Sequence, residues 1–470
     1  MSIQFEHLHY LTITQASELI HSGKISATEL TQHILDRISH LDPEIKSYAT
    51  VMREEALAAA HRADQELASG KDRGPLHGIP VAVKDLCFTK NAPTKGGMAV
   101  FADHVPDYDA TVVTRLAEAG AILIGKLNLT EGAMIGYHHD FAIPANPWAL
   151  DRWAGASSSG SGAATAAGLA YATLGSDTGG SIRFPSAACG VVGLKPTWGR
   201  VSRYGIIPLA ESLDHIGPLT RCTRDAALIF EAIAGADDHD PTSLLSPVPP
   251  ITEVIANGIS GVRIGIDREN IEKHADPEVA AGVFAGADVL AKLGANIITV
   301  DFPNTDTYIP AWSDVCLAET ALAHETTFPA RREDYGLWMR NWLDKGQDIS
   351  GVDYARANNL RHVCRQEYRA LLQTVDLLLM PSIPILPPVF KAESLYGAVE
   401  GFDFGLTRYT AVFDFTGSPT LSLPCGLSRE GLPLSLQLVA RHEDEQLLCQ
   451  AGHAYEQATD WHTLHPPFIK

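Results

Sequence analysis

The 470 residues are 45% hydrophobic and 20% charged, and 36 Lys and Arg against 56 Asp and Glu give a formal net charge of −20. This composition is ordinary for a globular protein, and the acidic balance disfavours a nucleic-acid partner because it repels phosphate backbones. We expect neither a secretory signal nor a membrane segment. The first residues lack a charged start before an apolar stretch, and the small-residue run that begins at residue 161 is too short to span a bilayer.

Helical patterns fill residues 1–70. Apolar spacing recurs over 12–23, 26–42 and 55–70, and Ser26-x-x-Glu29 is a capping-box pattern at the start of the second segment. Two β-branched runs follow at 78–86 and 121–129, with a helical segment between them at 109–120. This alternation predicts a βαβ unit and a largely parallel sheet.

Gly, Ser and Ala dominate residues 153–210. Because helix formers follow "AGASSSGSG" at once, we interpret it as a Ser/Gly loop leading into a closely packed helix rather than as a flexible linker. The Pro-rich stretch 240–250 is the best linker candidate. A second strand–helix–strand unit is predicted over 261–301, helices over 305–375, and strands near 375–386 and 418–426. No solenoid-type repeat is present.

Seven scattered cysteines include no C-x-x-C pair, which favours reduced thiols in a cytoplasmic protein over a disulfide framework or a zinc site. They are Cys87, Cys189, Cys222, Cys316, Cys364, Cys425 and Cys449.

Several common motifs are missing from the sequence. It contains no G-x-G-x-x-G, no P-loop, no H-E-x-x-H and no G-x-S-x-G. The triplet His138-His139-Asp140 invites a metal interpretation, but adjacent histidine side chains are expected to diverge. We therefore expect no metal and no organic cofactor.

The stretch "SDTGGSIRFP" at 176–185 places two glycines directly before Ser181. Glycines there let the backbone bend tightly and turn its N–H groups towards one point, as a tetrahedral oxyanion requires. Serine needs a base to act as a nucleophile, and Lys84 closes an apolar strand where burial would depress its pKa. Taken alone, a Gly-Gly-Ser turn is more often purely structural.

Three segments together resemble the amidase signature family: "GIPVAVKD" at 78–85, the block at 155–202, and "GLPLSLQLVARHEDEQLL" at 431–448. The resemblance implies one α/β/α domain over 1–470, built on a mixed, mostly parallel sheet flanked by helices. The catalytic core would span 71–235, with the signature block at 155–202. Residues 1–70 would form an N-terminal helical region, and 305–410 a variable region that shapes the substrate site.

The resemblance also implies roles for individual residues. Lys84 would be the base, Ser157 a relay held on a cis peptide, and Ser181 the nucleophile. The oxyanion would bind the N–H groups of Thr178, Gly179 and Gly180, together with that of Ser181 itself.

The neighbours of these residues have supporting roles in the same interpretation. Ser158 is expected to hydrogen-bond Lys84, and Asp177 and Arg183 to pair and brace the turn rather than to touch substrate. Ala156 departs from the family pattern, which has glycine at that position.

The segment 131–141 resembles the pocket-lining loop of the family, which makes Met134, Ile135, Tyr137 and His138 expected substrate contacts, with Trp153 as a wall. Its mixture of apolar, aromatic and polar groups suits an aryl or medium-sized acyl amide. The helical region 305–375 and a mobile Gly-rich loop at 392–409 would complete the pocket.

The resemblance implies hydrolysis of the C–N bond of carboxylic amides, aryl amides among them, through an acyl-enzyme. Esters and carbamates present a similar carbonyl and stay open as substrates. The alternative is the glutamine-hydrolysing subunit of glutamyl-tRNA(Gln) amidotransferase. Against it, 324–341 does not match the basic segment expected to hold the carboxylate of glutamine, and the chain is acidic. A catalytically inactive binding relative is a third interpretation. We expect a cytoplasmic monomer or homodimer acting on a small molecule, with no nucleic-acid or membrane partner.

Overall fold

A single sheet of eleven strands runs through the computed structural model, which describes residues 5–397 and 404–467. Its strand order within these ranges is β1-β3-β2-β6-β8-β7-β12-β13-β11-β9-β10, and β4 and β5 form a separate hairpin. The strands are β1 Tyr48–Val51, β2 Pro80–Lys84, β3 Ile122–Leu127, β4 Ala145–Asn146, β5 Ala149–Trp153, β6 Ala172–Asp177, β7 Val192–Lys195, β8 His215–Thr220, β9 Arg263–Ile266, β10 Asn296–Thr299, β11 Leu377–Pro381, β12 Thr420–Leu427 and β13 Pro433–Ala440.

Helices flank this sheet and bury most of its surface. They are α1 Ile13–His21, α2 Ala27–Ile45, α3 Arg53–Ala68, α4 Thr111–Glu118, α5 Ser159–Ala166, α6 Arg183–Cys189, α7 Thr223–Ile233, α8 Ile251–Val254, α9 Arg268–His274, α10 Pro277–Lys292, α11 Thr305–Ala323, α12 Leu337–Gln347, α13 Gly351–Thr374, α14 Ala392–Tyr396, α15 Ala411–Thr416 and α16 Glu445–Gln457. Short 3₁₀ helices lie at Phe5–Tyr10, Ala99–Phe101, Glu131–Ala133, Arg332–Asp334, Phe404–Thr407 and Trp461–Thr463.

The mixed sheet expected from the sequence is confirmed, but a parallel majority is not present. In the described chain, β2–β3, β2–β6, β9–β10 and β9–β11 are parallel. The other six neighbouring pairs are antiparallel: β1–β3, β6–β8, β7–β8, β7–β12, β12–β13 and β11–β13. Both predicted strand–helix–strand units exist, as β2-α4-β3 and β9-α10-β10. They lie towards the sheet edges, and strands distant in sequence fill the antiparallel centre.

The N-terminal helices form as predicted, and Ser26 and Glu29 make the reciprocal capping-box bonds at the start of α2. Strand β1 also lies within 1–70, where only helices were expected, and it pairs with β3 at one sheet edge. The helical prediction for 305–375 is confirmed by α11, α12 and α13.

Two further predictions concern connections between elements. Residues 240–250 contain no helix or strand, as expected of a connection, yet Leu244 donates its N–H to Gly199 O and so ties the segment to the core. Part of the loop expected at 392–409 forms α14, and residues 398–403 lie outside the described chain. Among the described helices, none combines the length and apolarity needed to cross a membrane.

Candidate active site

Two parallel strands bring the predicted catalytic groups to the same edge of the sheet. Lys84 is the last residue of β2, and Ser176 and Asp177 end the adjacent parallel strand β6. Carboxyl ends of parallel strands meet at one edge, where ligand sites in α/β proteins form. The loop between β5 and α5 adds Ser157 to this edge.

Lys84 is fully buried and makes two hydrogen bonds with serine hydroxyls. Its Nζ lies 2.6 Å from Ser157 Oγ and 2.8 Å from Ser176 Oγ. None of the ion pairs within the described residues involves this ammonium group. Burial lowers the pKa of Lys84 to about 7, because transfer out of water disfavours the charged form.

The peptide bond between Ala156 and Ser157 is cis, as the resemblance implied. Ser158 does not make the bond to Lys84 that we expected. Its hydroxyl instead exchanges hydrogen bonds with the backbone of Ser176, donating to the carbonyl oxygen at 3.2 Å and accepting from the N–H at 3.3 Å. The second hydroxyl on Lys84 therefore belongs to Ser176, which the sequence reasoning missed although it opens the motif that contains Ser181.

The turn 178–181 lies between β6 and α6. Thr178, Gly179 and Ser181 of this turn line the cleft described below. Gly180 has φ +137°, and a Cβ there would lie 2.6 Å from the Phe184 ring, so a side chain would meet both strain and a clash. The N–H of Gly180 donates to Asp177 Oδ1 at 2.6 Å. In the described chain, the N–H groups of Thr178, Gly179 and Ser181 have no protein acceptor, which leaves these three, rather than Gly180, as available donors.

A buried ionic network holds this turn from behind. Arg183 donates to Asp177 through Nε at 3.0 Å and Nη2 at 2.8 Å, and Nη2 also reaches Asp414 Oδ2 at 2.5 Å. All three side chains are fully buried. Although burial acts in the opposite direction, the Arg183 guanidinium holds the pKa of Asp177 well below its usual range. The pairing agrees with the bracing role expected for Asp177 and Arg183.

A cleft of about 490 Å³, its open mouth included, has Ser181 in its wall. Met134, Ile135 and Trp153, which were expected to contact or wall in the substrate, line this cleft, and so does Ala156. The remaining lining is apolar or uncharged: Ala133, Thr178, Gly179, Phe184, Leu209, Trp312, Cys316, Leu406 and Thr407.

Two residues expected in the pocket lie outside this lining. The Tyr137 hydroxyl donates to Ser159 Oγ at 2.7 Å, which directs the ring towards the start of α5. The His138 ring stacks on that of His139, with 4.2 Å between the centroids.

The family model for amidases matches residues 29–449 of this chain. The chain belongs to the amidase signature family. It is an amide-hydrolysing enzyme. The protein AmiD of Mycobacterium tuberculosis, itself assigned as an amidase only provisionally, is 44% identical over 458 residues, which cover 97% of this chain and 96% of AmiD.

Two other relatives represent different activities within this family. A glutamyl-tRNA(Gln) amidotransferase subunit from Roseiflexus sp. is 39% identical over 492 residues, covering 98% of each chain. The peptide amidase PAM, solved in complex with the competitive inhibitor chymostatin, superimposes with a TM-score of 0.86 at 31% identity and covers 97% of this chain and 98% of its own.

The cleft of this amidase contains residues that the sequence reasoning did not single out. Trp312 and Cys316 come from α11, within the region 305–410 that was expected to shape the site. The Trp312 Nε1–H donates to Thr178 O at 2.9 Å, so this ring is fixed directly to the Gly-Gly turn. The spacing of Trp312 and Cys316, four residues apart, predicts that they share one face of the helix. The neighbouring sequence does not indicate that this face lies near Ser181.

The side chains of the adjacent His138 and His139 were expected to diverge, and this prediction is wrong. Their potential ligand atoms and that of Asp140 all lie within 4.8 Å of one another. His139 and Asp140 are exposed, and Asp140 N–H donates to His138 Nδ1 at 3.2 Å. The cluster lies outside the lining of the cleft, and the expectation that the enzyme uses no metal stays a prediction.

Proposed function

We propose that this amidase cleaves carboxylic amides through Lys84, Ser157 and Ser181, with an acyl-enzyme on Ser181. The observation that carries the proposal is the 2.6 Å contact between Lys84 Nζ and Ser157 Oγ. A buried lysine with a pKa of about 7 is neutral in a large fraction of molecules at physiological pH, and a neutral amine is a base.

The proposed proton path runs from Ser181 to Ser157 and from Ser157 to Lys84. As Ser181 Oγ attacks the amide carbonyl, its proton passes to Ser157 Oγ, whose own proton passes to Nζ of Lys84. The same path in reverse delivers a proton to the leaving amine when the C–N bond breaks. Water then attacks the ester on Ser181, gives a proton to the same relay, and releases the carboxylic acid.

The negative charge on the carbonyl oxygen needs donors that are free in the resting enzyme. The N–H groups of Thr178, Gly179 and Ser181 meet this condition, whereas that of Gly180 is engaged with Asp177. One such donor typically contributes about 3 kcal/mol to transition-state stabilisation. The network of Asp177 and Arg183 would act by holding the turn in place rather than by touching substrate.

The cleft favours an apolar acyl group. Its described lining includes the rings of Trp153, Phe184 and Trp312 and no charged side chain. Glutamine would bring both a carboxylate and an ammonium group into this lining, and an unpaired charge is costly to remove from water. We therefore propose aryl or branched aliphatic amides as the substrate class.

Glutamine hydrolysis within an amidotransferase is the second candidate, because the Roseiflexus protein is 39% identical over nearly the whole of both chains. The same three catalytic residues would serve it. It differs in requiring a polar anchor for the amino acid, which in that case residues outside the described cleft lining or a partner protein would supply.

The test compares hydrolysis of an aryl anilide, a primary aliphatic amide, an aryl carbamate and glutamine by the wild type and by Ser181→Ala. Ser69→Ala, an exposed serine beyond α3, is the matched control. We expect anilide cleavage by the wild type and control, loss of activity in Ser181→Ala, and loss of covalent fluorophosphonate labelling in that variant alone. Retained activity in Ser181→Ala would remove the proposed nucleophile, and cleavage of glutamine alone would favour the amidotransferase.

The state of the cysteines supports a cellular location for the enzyme. All seven cysteines are buried and free. This state agrees with a reducing compartment, and we propose the cytoplasm. We also propose that the enzyme acts on its small-molecule substrate as a monomer or homodimer.

A further inference from the structure

A second cavity lies at the C-terminal end of α15, and the residue before the other end of this helix, Thr410, contacts the turn 178–181. It measures about 730 Å³ with its open mouth and is formed by the last turns of α13, the end of α15 and the residues after β13. Its lining consists of Arg365, Tyr368, Arg369, Leu372, Gln373, Thr416, Ser418, Arg441 and His442. It shares no lining residue with the cleft that contains Ser181.

Three arginine residues line this cavity, and among the described residues only Arg441 has a carboxylate partner. Arg365 uses Nε to donate to Thr416 O at 3.2 Å, and the Arg369 guanidinium makes no hydrogen bond or ion pair with the described residues. Arg441 pairs with Asp376 Oδ1 at 2.9 Å, but the same carboxylate also pairs with Arg263. Such a concentration of positive charge is unusual on a chain whose formal net charge is −20.

The cations disfavour one another in the cavity as it stands. Burial and the nearby charge of Arg369 lower the pKa of Arg365. Burial, together with the charges of Arg365 and Lys195, lowers the pKa of His442 to about 4. A bound anion would relieve this repulsion, because an opposite charge within a few ångströms favours the charged form of each group.

Hydroxyl groups complete the polar wall beside the guanidinium groups. Thr416 Oγ1 and Ser418 Oγ lie 2.9 Å apart, and either can be the donor. Gly417 between them adopts a left-handed conformation, with φ +82°, which brings the two hydroxyls to the same side. Guanidinium forks and hydroxyls are the donor types that recognise tetrahedral oxyanions.

We propose that this cavity binds a phosphate group, carried either by inorganic phosphate or by a small phosphate monoester. A dianion matches the two guanidinium charges, those of Arg365 and Arg369, that no carboxylate among the described residues pairs. A single phosphate group fits the acidic molecule better than a nucleic acid does, because the charge of the whole chain repels a polyanion. None of the residues that line this cavity takes part in the proposed hydrolytic mechanism.

Helix α15 connects this cavity to the turn 178–181. The end of the helix at Thr416 borders the cavity. Just before its other end, Thr410 Oγ1 donates to Gly179 O at 2.7 Å, and Thr410 O accepts from Arg183 Nη1 at 3.0 Å. Phosphate would therefore bind at the opposite end of a six-residue helix from the oxyanion donors.

The experiment is isothermal titration calorimetry on the full chain at constant ionic strength, with inorganic phosphate and phenyl phosphate as separate titrants and chloride as the blank. The variant is Arg369→Gln, since Arg369 is exposed and its loss breaks no bond within the described chain. The control is Arg356→Gln, which makes the same charge change on the same helix, at an exposed arginine paired with Asp353.

We expect saturable binding of at least one phosphate titrant to the wild type and to Arg356→Gln, about tenfold weaker binding to Arg369→Gln, and none to Arg365→Gln/Arg369→Gln. The better titrant distinguishes free phosphate from an ester. Absence of saturable binding to the wild type overturns the proposal, as does equal weakening in Arg369→Gln and Arg356→Gln. Binding abolished by Ser181→Ala would place the phosphate in the catalytic cleft instead and would equally overturn it.

Discussion

In the proposed mechanism, Lys84 determines how the rate of hydrolysis changes with pH. The pKa of this lysine falls from the ordinary 10.5 to about 7 because the side chain is fully buried. The difference corresponds to about 5 kcal/mol in favour of the neutral amine. At pH 8 a lysine with an ordinary pKa would be neutral in roughly one molecule in three hundred, whereas Lys84 would be neutral in about nine of ten.

The neutral form is the proposed base, so activity must rise as pH rises through the pKa. We expect kcat/KM for an anilide to increase about tenfold per pH unit below pH 7 and to level off above it. Lys84→Ala is expected to lose about 10³-fold in kcat and to lose the inflection, because Ser157 then has no proton acceptor. The measurement is kcat/KM between pH 5.5 and 9 in buffers of constant ionic strength.

Lys195 offers a matched control for this experiment. It is also fully buried, with its pKa lowered to about 7 by burial, but its Nζ donates to Pro196 O rather than to a serine. Lys195→Met should therefore keep the inflection near pH 7. A flat wild-type profile across this range would contradict the proposed role of Lys84 as the base. An inflection that is retained in Lys84→Ala and lost in Lys195→Met would contradict it as well.

Three further substitutions test the parts of the site that surround the nucleophile. Arg183→Met leaves Asp177 and Asp414 buried without their cation and should lower the free energy of unfolding by about 3–5 kcal/mol, measured by urea denaturation; an unchanged midpoint would contradict the bracing role. Gly179→Ala would place a Cβ 2.4 Å from the Trp312 ring and should reduce kcat about 100-fold by displacing the turn, which steady-state kinetics would detect. Trp312→Ala should enlarge the cleft and raise the ratio of kcat/KM for a naphthoyl over a benzoyl anilide about tenfold, and a constant ratio would place the acyl group elsewhere.

Local chemistry explains why much of this enzyme could be predicted from its sequence. The capping box of Ser26 and Glu29 needs only residues three apart, and each strand–helix–strand unit is written in one continuous stretch. Lys84 and Ser181 could be singled out for a similar reason, since Lys84 closes an apolar strand and Ser181 follows two glycines. Ser157 and the three catalytic roles came from the family resemblance instead.

Contacts between distant segments account for what could not be predicted. The sheet centre joins β7 to β12, which lie more than two hundred residues apart, and this is one of the six antiparallel pairings that outnumber the four parallel ones. The Tyr137 hydroxyl donates to Ser159 on α5, and this residue does not line the cleft. Trp312 on α11 donates its indole N–H to Thr178 O. Asp414 reached Arg183 from a separate part of the chain.

The sequence by itself therefore determined the local elements, because periodicity, capping and turn chemistry act within a few residues. Its resemblance to the amidase signature family supplied the candidate nucleophile and base. Tertiary structure alone decided the strand pairing, the walls of the cleft and the cluster of Arg365, Arg369 and Arg441 around a second cavity. These features depend on which helix faces pack together after the chain collapses, and side chains separated by tens to hundreds of residues carry no mark of one another until packing and desolvation bring them into contact.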